Sequence, residues 1–112
     1  MAARYAPGRG EVVWLQFDPQ AGHEQAGRRP AVVVSPREYN ATTGLALCCP
    51  ITSRIKGYPF EVALSEDSKV SGVILADQVK SLDWKARRAR MLWTLPEDCL
   101  QELLAKIRVL VE

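Results

Sequence analysis

Glu24, Arg29 and Thr52 are the residues whose types and positions could do chemistry together. Arg29 stands directly before Pro30, Thr52 follows the apolar run 45–51, and Glu24 lies in the polar stretch 18–29. The set suits cleavage of RNA, in which the substrate's own 2′-hydroxyl attacks the neighbouring phosphate. That route needs a base near the 2′-hydroxyl, positive charge on the developing phosphorane, and a proton for the leaving 5′-oxygen. A guanidinium binds phosphate oxygens bidentately but is a poor base, with a pKa above about 12. Arg29 therefore reads as the electrostatic stabiliser. Thr52 reads as a hydrogen-bonding group at the phosphate, and Glu24 as the base on pKa grounds. Taken singly, each has an ordinary reading as a solvated arginine, a strand end or a surface charge.

What joins them is the register of the strands that must carry them. Residues 11–17 are β-branched and aromatic and read as a strand. A polar loop then runs from Asp18-Pro19 through Gly22 and Gly27 to Arg29. A second strand covers 30–35, with proline confined to its first residue. Residues 36–44 form a connector with one helical turn, closed by Gly44, and a third strand covers 45–51. If strands two and three pair symmetrically about that connector, Ala31 faces Pro50, Pro30 faces Ile51 and Arg29 faces Thr52. Directly opposed Cβ atoms lie about 5 Å apart; a slip of one residue would swap the faces.

Further short strands are expected at 59–64, 72–75, 77–82 and 90–93, with a polar, basic loop at 52–58. The period then changes. Leu100, Leu103, Leu104, Ile107 and Val111 mark one helical face, either core or dimer interface. Pro96, Glu97 and Asp98 suit the start of that helix, and Lys106 and Arg108 its end. The expected fold is mainly β, with a C-terminal helix packed on short strands.

Other residues carry weaker signals. His23, the single histidine, has two readings: a general acid or base contact, or an exposed loop residue. Lys85, Arg87, Arg88 and Arg90, flanked by Trp84 and Trp93, either track a nucleic-acid backbone or form a solvated loop whose tryptophans face the core, the reading preferred. Arg54, Lys56 and Tyr58, beside Thr52, are the better candidates for RNA contact. One histidine and scattered carboxylates do not make a metal-ligand cluster.

Composition bounds these readings. The chain has 112 residues, the size of one domain, and 47% of them are apolar. A net charge of +2 permits a polyanionic partner without demanding one, so RNA contact is expected to be local. Cys48, Cys49 and Cys99 show no metal or redox spacing and read as structural thiols, with the adjacent pair on opposite faces of a strand. The N-terminus has no apolar run and no segment approaches a membrane span, so a cytoplasmic location is expected.

Four segments, in order along nearly the whole chain, resemble the MazF/PemK endoribonuclease toxins, and the MazF branch in particular. They are Gly10-Glu11-Val12-Val13-Trp14; Glu24-Gln25-Ala26-Gly27-Arg28-Arg29-Pro30-Ala31-Val32-Val33; Lys56-Gly57-Tyr58-Pro59-Phe60-Glu61-Val62; and Leu75-Ala76-Asp77-Gln78-Val79-Lys80-Ser81. The resemblance implies an SH3-like β-barrel with a C-terminal helix, a homodimer, and metal-independent cleavage of single-stranded RNA at short motifs. Arg29 and Thr52 map onto the family's functional pair, and Glu24 onto the glutamate of its loop. The implied RNA groove comprises 18–28 and 53–58, with Phe17, His23, Gln25, Arg28, Arg54, Lys56, Tyr58 and Gln78 as contacts. The resemblance also implies no cofactor, and an antitoxin partner whose acidic, flexible tail covers the groove. Fold alone does not fix function. A barrel toxin that binds DNA gyrase without catalysis, or an inactive RNA- or peptide-binding domain, stands as the alternative.

Overall fold

The computed structural model describes residues 5–17 and 27–112. In chain order the elements are β1 (Glu11–Phe17), β2 (Gly27–Val33), α1 (Arg37–Thr43), β3 (Leu45–Thr52), β4 (Glu61–Ala63), β5 (Val73–Leu75), a 3₁₀ turn (Ala76–Gln78), β6 (Lys80–Asp83), β7 (Arg90–Thr94) and α2 (Glu97–Val111). The sheet order is β4-β5-β3-β2-β1-β7, with β6 also paired to β3, and every pairing is antiparallel. The expected mainly-β fold with a C-terminal helix is present. The sheet is not closed: β4 and β7 end it, and no ladder joins them among the described residues.

The central strands β1, β2 and β3 are buried on both faces, and the alternation of side chains along a strand sorts their residues into two cores. Val12, Val32, Cys49 and Ile51 face one core, which Leu100 and Leu103 of α2 cover. Val13, Leu15, Ala31, Val33, Ala46 and Cys48 face the other, with Leu82 and Trp84. Cys48 and Cys49 therefore do fall on opposite faces, and burial pushes both thiols up to about 12, consistent with a structural role. On α2, Leu100 and Leu103 are buried and Leu104 and Ile107 partly so. The stripe runs off the core at its end, where Val111 is 73% exposed.

The connector is α1, closed by Gly44 in the left-handed conformation (φ 77°), a geometry that favours glycine. It is anchored by buried Asn40, whose Nδ2 donates to the Pro7 and Ser35 carbonyls at 2.8 and 3.0 Å, while Ser35 Oγ donates to Asn40 Oδ1 at 2.6 Å.

Three local expectations need correction. β2 begins at Gly27, so Arg28 and Arg29 lie in the strand, opposite Gln16 and Leu15, and Pro30 sits inside it, opposite Trp14. Ala31 does face Pro50, but the β2–β3 ladder ends there. Neither Pro30 nor Pro50 has an N–H to give, and the last two residues of β3 pair with β5 instead: Ile51 with Ile74 and Thr52 with Val73. Finally, the expected strand at 77–82 is a 3₁₀ turn followed by β6.

Candidate functional site

At the end of β3 the chain opens a cleft of about 380 Å³, lined by Thr52, Arg54, Lys56, Tyr58, Glu61, Leu75, Asp77 and Gln78. It is built by the last residue of β3, the loop 53–60, the first residue of β4, the last residue of β5 and the 3₁₀ turn that follows it. Gly72, at φ 119°, lets β5 run close beneath. A Cβ there would stand 2.1 Å from the Thr52 carbonyl oxygen, so only glycine permits the approach.

The polar contacts define what each group can still do. The Arg54 N–H donates to Thr52 Oγ1 at 3.1 Å. That occupies a lone pair and leaves the hydroxyl proton available to an incoming acceptor. The Tyr58 hydroxyl donates to Asp77 Oδ2, and that carboxylate holds the phenol above its usual pKa. Asp77 Oδ1 is buried without a partner. The Lys56 and Gly57 N–H groups donate to the two carboxylate oxygens of Glu61 at 3.0 and 3.1 Å. Arg54, Lys56, Tyr58 and Gln78 are exposed, Thr52 half-buried. A hydroxyl donor beside two cations, an aromatic ring and an amide is an arrangement suited to a phosphodiester flanked by bases.

Arg29 does not line the cleft, but its position on the sheet relates it to Thr52. Each lies two residues from the Ala31–Pro50 pair, towards the same end of β2 and β3, and side chains two apart share a face. Cys48 faces Lys80 of β6, which adds a further cation to that face. Arg29 and Thr52 thus share a face and an end of the sheet, although they are not the opposed ladder pair that the sequence argument expects.

Of the other expected contacts, Arg54, Lys56, Tyr58 and Gln78 converge on the cleft. Arg28 does not; its guanidinium donates to the Arg88 carbonyl at 3.4 Å, beside the turn before β7. His23, Glu24, Gln25 and the side chain of Phe17 lie outside the described residues. Glu61 and Asp77 also line the cleft, and neither carries a signal in the sequence. Glu61 stands in an apolar run, and Asp77 meets Tyr58 across 19 positions of chain. Among the described residues, no group of three or more His, Cys, Asp or Glu side chains is gathered.

The chain as a whole is similar to known proteins. Residues 8–111 match the family model described as PemK-like, MazF-like toxin of type II toxin-antitoxin system. The chain is 53% identical over 111 residues to the endoribonuclease toxin MazF of Escherichia coli (strain K12), spanning 99% of each chain. It is 38% identical to the endoribonuclease toxin ChpB of the same strain, spanning 93% of each. Among solved structures, a chain of the MazE-MazF crystal structure (Form-II) from Deinococcus radiodurans matches with a TM-score of 0.90 and 56% identity, over 96% of this chain and 97% of that one.

Proposed function

This chain belongs to the PemK-like, MazF-like toxins of type II toxin–antitoxin systems, and we propose that it cuts single-stranded RNA without a metal ion at the cleft beside Thr52. It is an endoribonuclease toxin, as its relatives of 53% and 38% identity are named. The observation that carries the assignment of the site is the Thr52 hydroxyl. It is oriented by the Arg54 N–H and stands among Arg54, Lys56, Tyr58 and Gln78, on the sheet face that also bears Arg29.

In the proposed reaction, the 2′-oxygen bonds to the adjacent phosphorus as its proton passes to a base. The bond from phosphorus to the 5′-oxygen then breaks, and that oxygen takes a proton. The products are a 2′,3′-cyclic phosphate and a 5′-hydroxyl. The nucleophile is the substrate's own, so the protein's tasks are positioning and charge stabilisation. Arg29 offsets the charge of the phosphorane, Thr52 donates its proton to a phosphate oxygen, and Glu24 takes the proton of the 2′-hydroxyl. Arg54 and Lys56 hold flanking phosphates, and Tyr58 and Gln78 meet bases. Phe17, His23 and Gln25 extend the contacts along the groove.

Cutting messenger RNA would stop translation, which is the toxic effect. The chain is proposed to act in the cytoplasm as a homodimer. It would be held in check by a MazE-like antitoxin whose acidic, flexible tail competes with RNA for the same cations; the similar Deinococcus structure is of a MazE-MazF pair. The test is incubation of the purified chain with single-stranded RNA in EDTA, beside a DNA gyrase supercoiling assay. Cleavage in chelator with unaffected gyrase is expected. Intact RNA with inhibited gyrase would replace this reading with the non-catalytic one.

A further inference from the structure

We propose that Glu61 is a positioning residue of the nuclease cleft, acting through Lys56. This rests on the functional reading above and extends it to a residue that does not meet the reacting atoms. The starting observation is a conflict of charge. A carboxylate lining a cleft built for phosphate repels the ligand, so its presence there needs a reason. Glu61 supplies one: its two oxygens are used, one each, by the N–H groups of Lys56 and Gly57 at 3.0 and 3.1 Å. Two successive N–H groups converging on one anion form a fork that offsets its charge and fixes the peptide units between them.

The loop needs such a device at Lys56 and Gly57 because packing does not hold it there. Residues 53–59 are all exposed, so burial cannot set their conformation. Gly57 adopts φ 76°, where a side chain would be strained, and open space surrounds it. The turn closes through the Glu61 N–H on the Tyr58 carbonyl at 3.0 Å. Its far side is pinned by Lys106 of α2, which donates to the Pro59 and Glu61 carbonyls at 2.5 and 3.2 Å. The Glu61 fork therefore sets the backbone from which the Lys56 side chain departs. A cation held in place loses less conformational freedom when it meets a phosphate.

Steady-state cleavage by Glu61→Ala, Lys56→Ala and the double variant tests this, with KM, kcat and salt dependence measured for each. Glu61→Ala is expected to raise KM about tenfold, the loss of one charge-assisted contact, to leave kcat within about twofold, and to flatten the salt slope as Lys56→Ala does. Glu61→Gln, which keeps one acceptor oxygen, should fall between. The double variant should be no worse than Lys56→Ala alone, because the two residues act as one unit. Wild-type KM and salt slope in Glu61→Ala, or additive losses in the double variant, would overturn the proposal. If Glu61→Ala does not fold, the near-isosteric Glu61→Gln carries the same comparison. A wild type inert on RNA sinks the functional reading itself, whereas an active wild type indifferent to Glu61 sinks only this inference.

Discussion

The loop 53–60 and the turn 84–89 look alike in composition, since each sets cations beside an aromatic ring, yet they use those groups differently. In the turn, Trp84 is buried and its indole N–H donates to the Asn40 carbonyl at 2.9 Å. Lys85 Nζ lies 5.8 Å from the centre of that ring. Arg87 ties the turn to β1: its carbonyl accepts the Gln16 N–H at 2.8 Å and its guanidinium donates to the Gln16 carbonyl at 3.5 Å. The Arg88 carbonyl accepts from Arg28. These groups hold structure. In the loop, the backbone and the acidic side chains make the ties, and Arg54 and Lys56 line an open cleft. Counting charges and rings does not separate a binding surface from a structural turn; following where the donors go does.

Four variants would break or sharpen this contrast. The largest effect is expected from Trp84→Ala, which empties a buried aromatic site and should cost about 3–5 kcal/mol in a denaturant titration. A variant of undiminished stability that loses cleavage would assign the turn to RNA instead. Gly72→Ala follows, at on the order of 2–3 kcal/mol from strain and a backbone clash. Because the clash is with the Thr52 carbonyl, cleavage per folded molecule should also fall, and unchanged activity would detach Thr52 from the reaction. Lys56→Ala should leave stability within about 0.5 kcal/mol. It should still lower the salt slope of RNA binding by about one, and an unaltered slope would remove Lys56 from phosphate contact. Smallest is Arg88→Gly. Arg88 holds a left-handed φ of 56° that glycine adopts freely, so the change should leave stability within about 0.5 kcal/mol. It should leave the salt slope as it is; a reduced slope would make the turn an RNA contact.

Much of the frame is legible in the sequence because it follows from period. The β-branched run of β1, the stripe of α2, the stop at Gly44 and the split of Cys48 from Cys49 each report one local rule. The cleft loop was found for the same reason, since Thr52, Arg54, Lys56 and Tyr58 are near neighbours in the chain. What sequence missed depends on partners. The start of β2 was misplaced because Arg28 and Arg29 carry no apolar period, although β1 pairs them into the sheet. The register was right at Ala31–Pro50 and failed beyond it because β3 leaves β2 for β5, an exchange that only the position of β5 reveals. Glu61 and Asp77 matter through the groups they face, and Lys106 reaches the Pro59 carbonyl across 47 positions.

The central claim is that a guanidinium on β2 and a hydroxyl ending β3 serve one phosphate. Mapping both ends of a defined single-stranded RNA, cut in EDTA by wild type and by Arg29→Ala, tests it most directly. The wild type should leave 2′,3′-cyclic phosphate and 5′-hydroxyl ends, and Arg29→Ala, still folded, should cut about 10²–10³ times more slowly. Ends bearing a 5′-phosphate, or an Arg29→Ala rate matching wild type, would contradict the account.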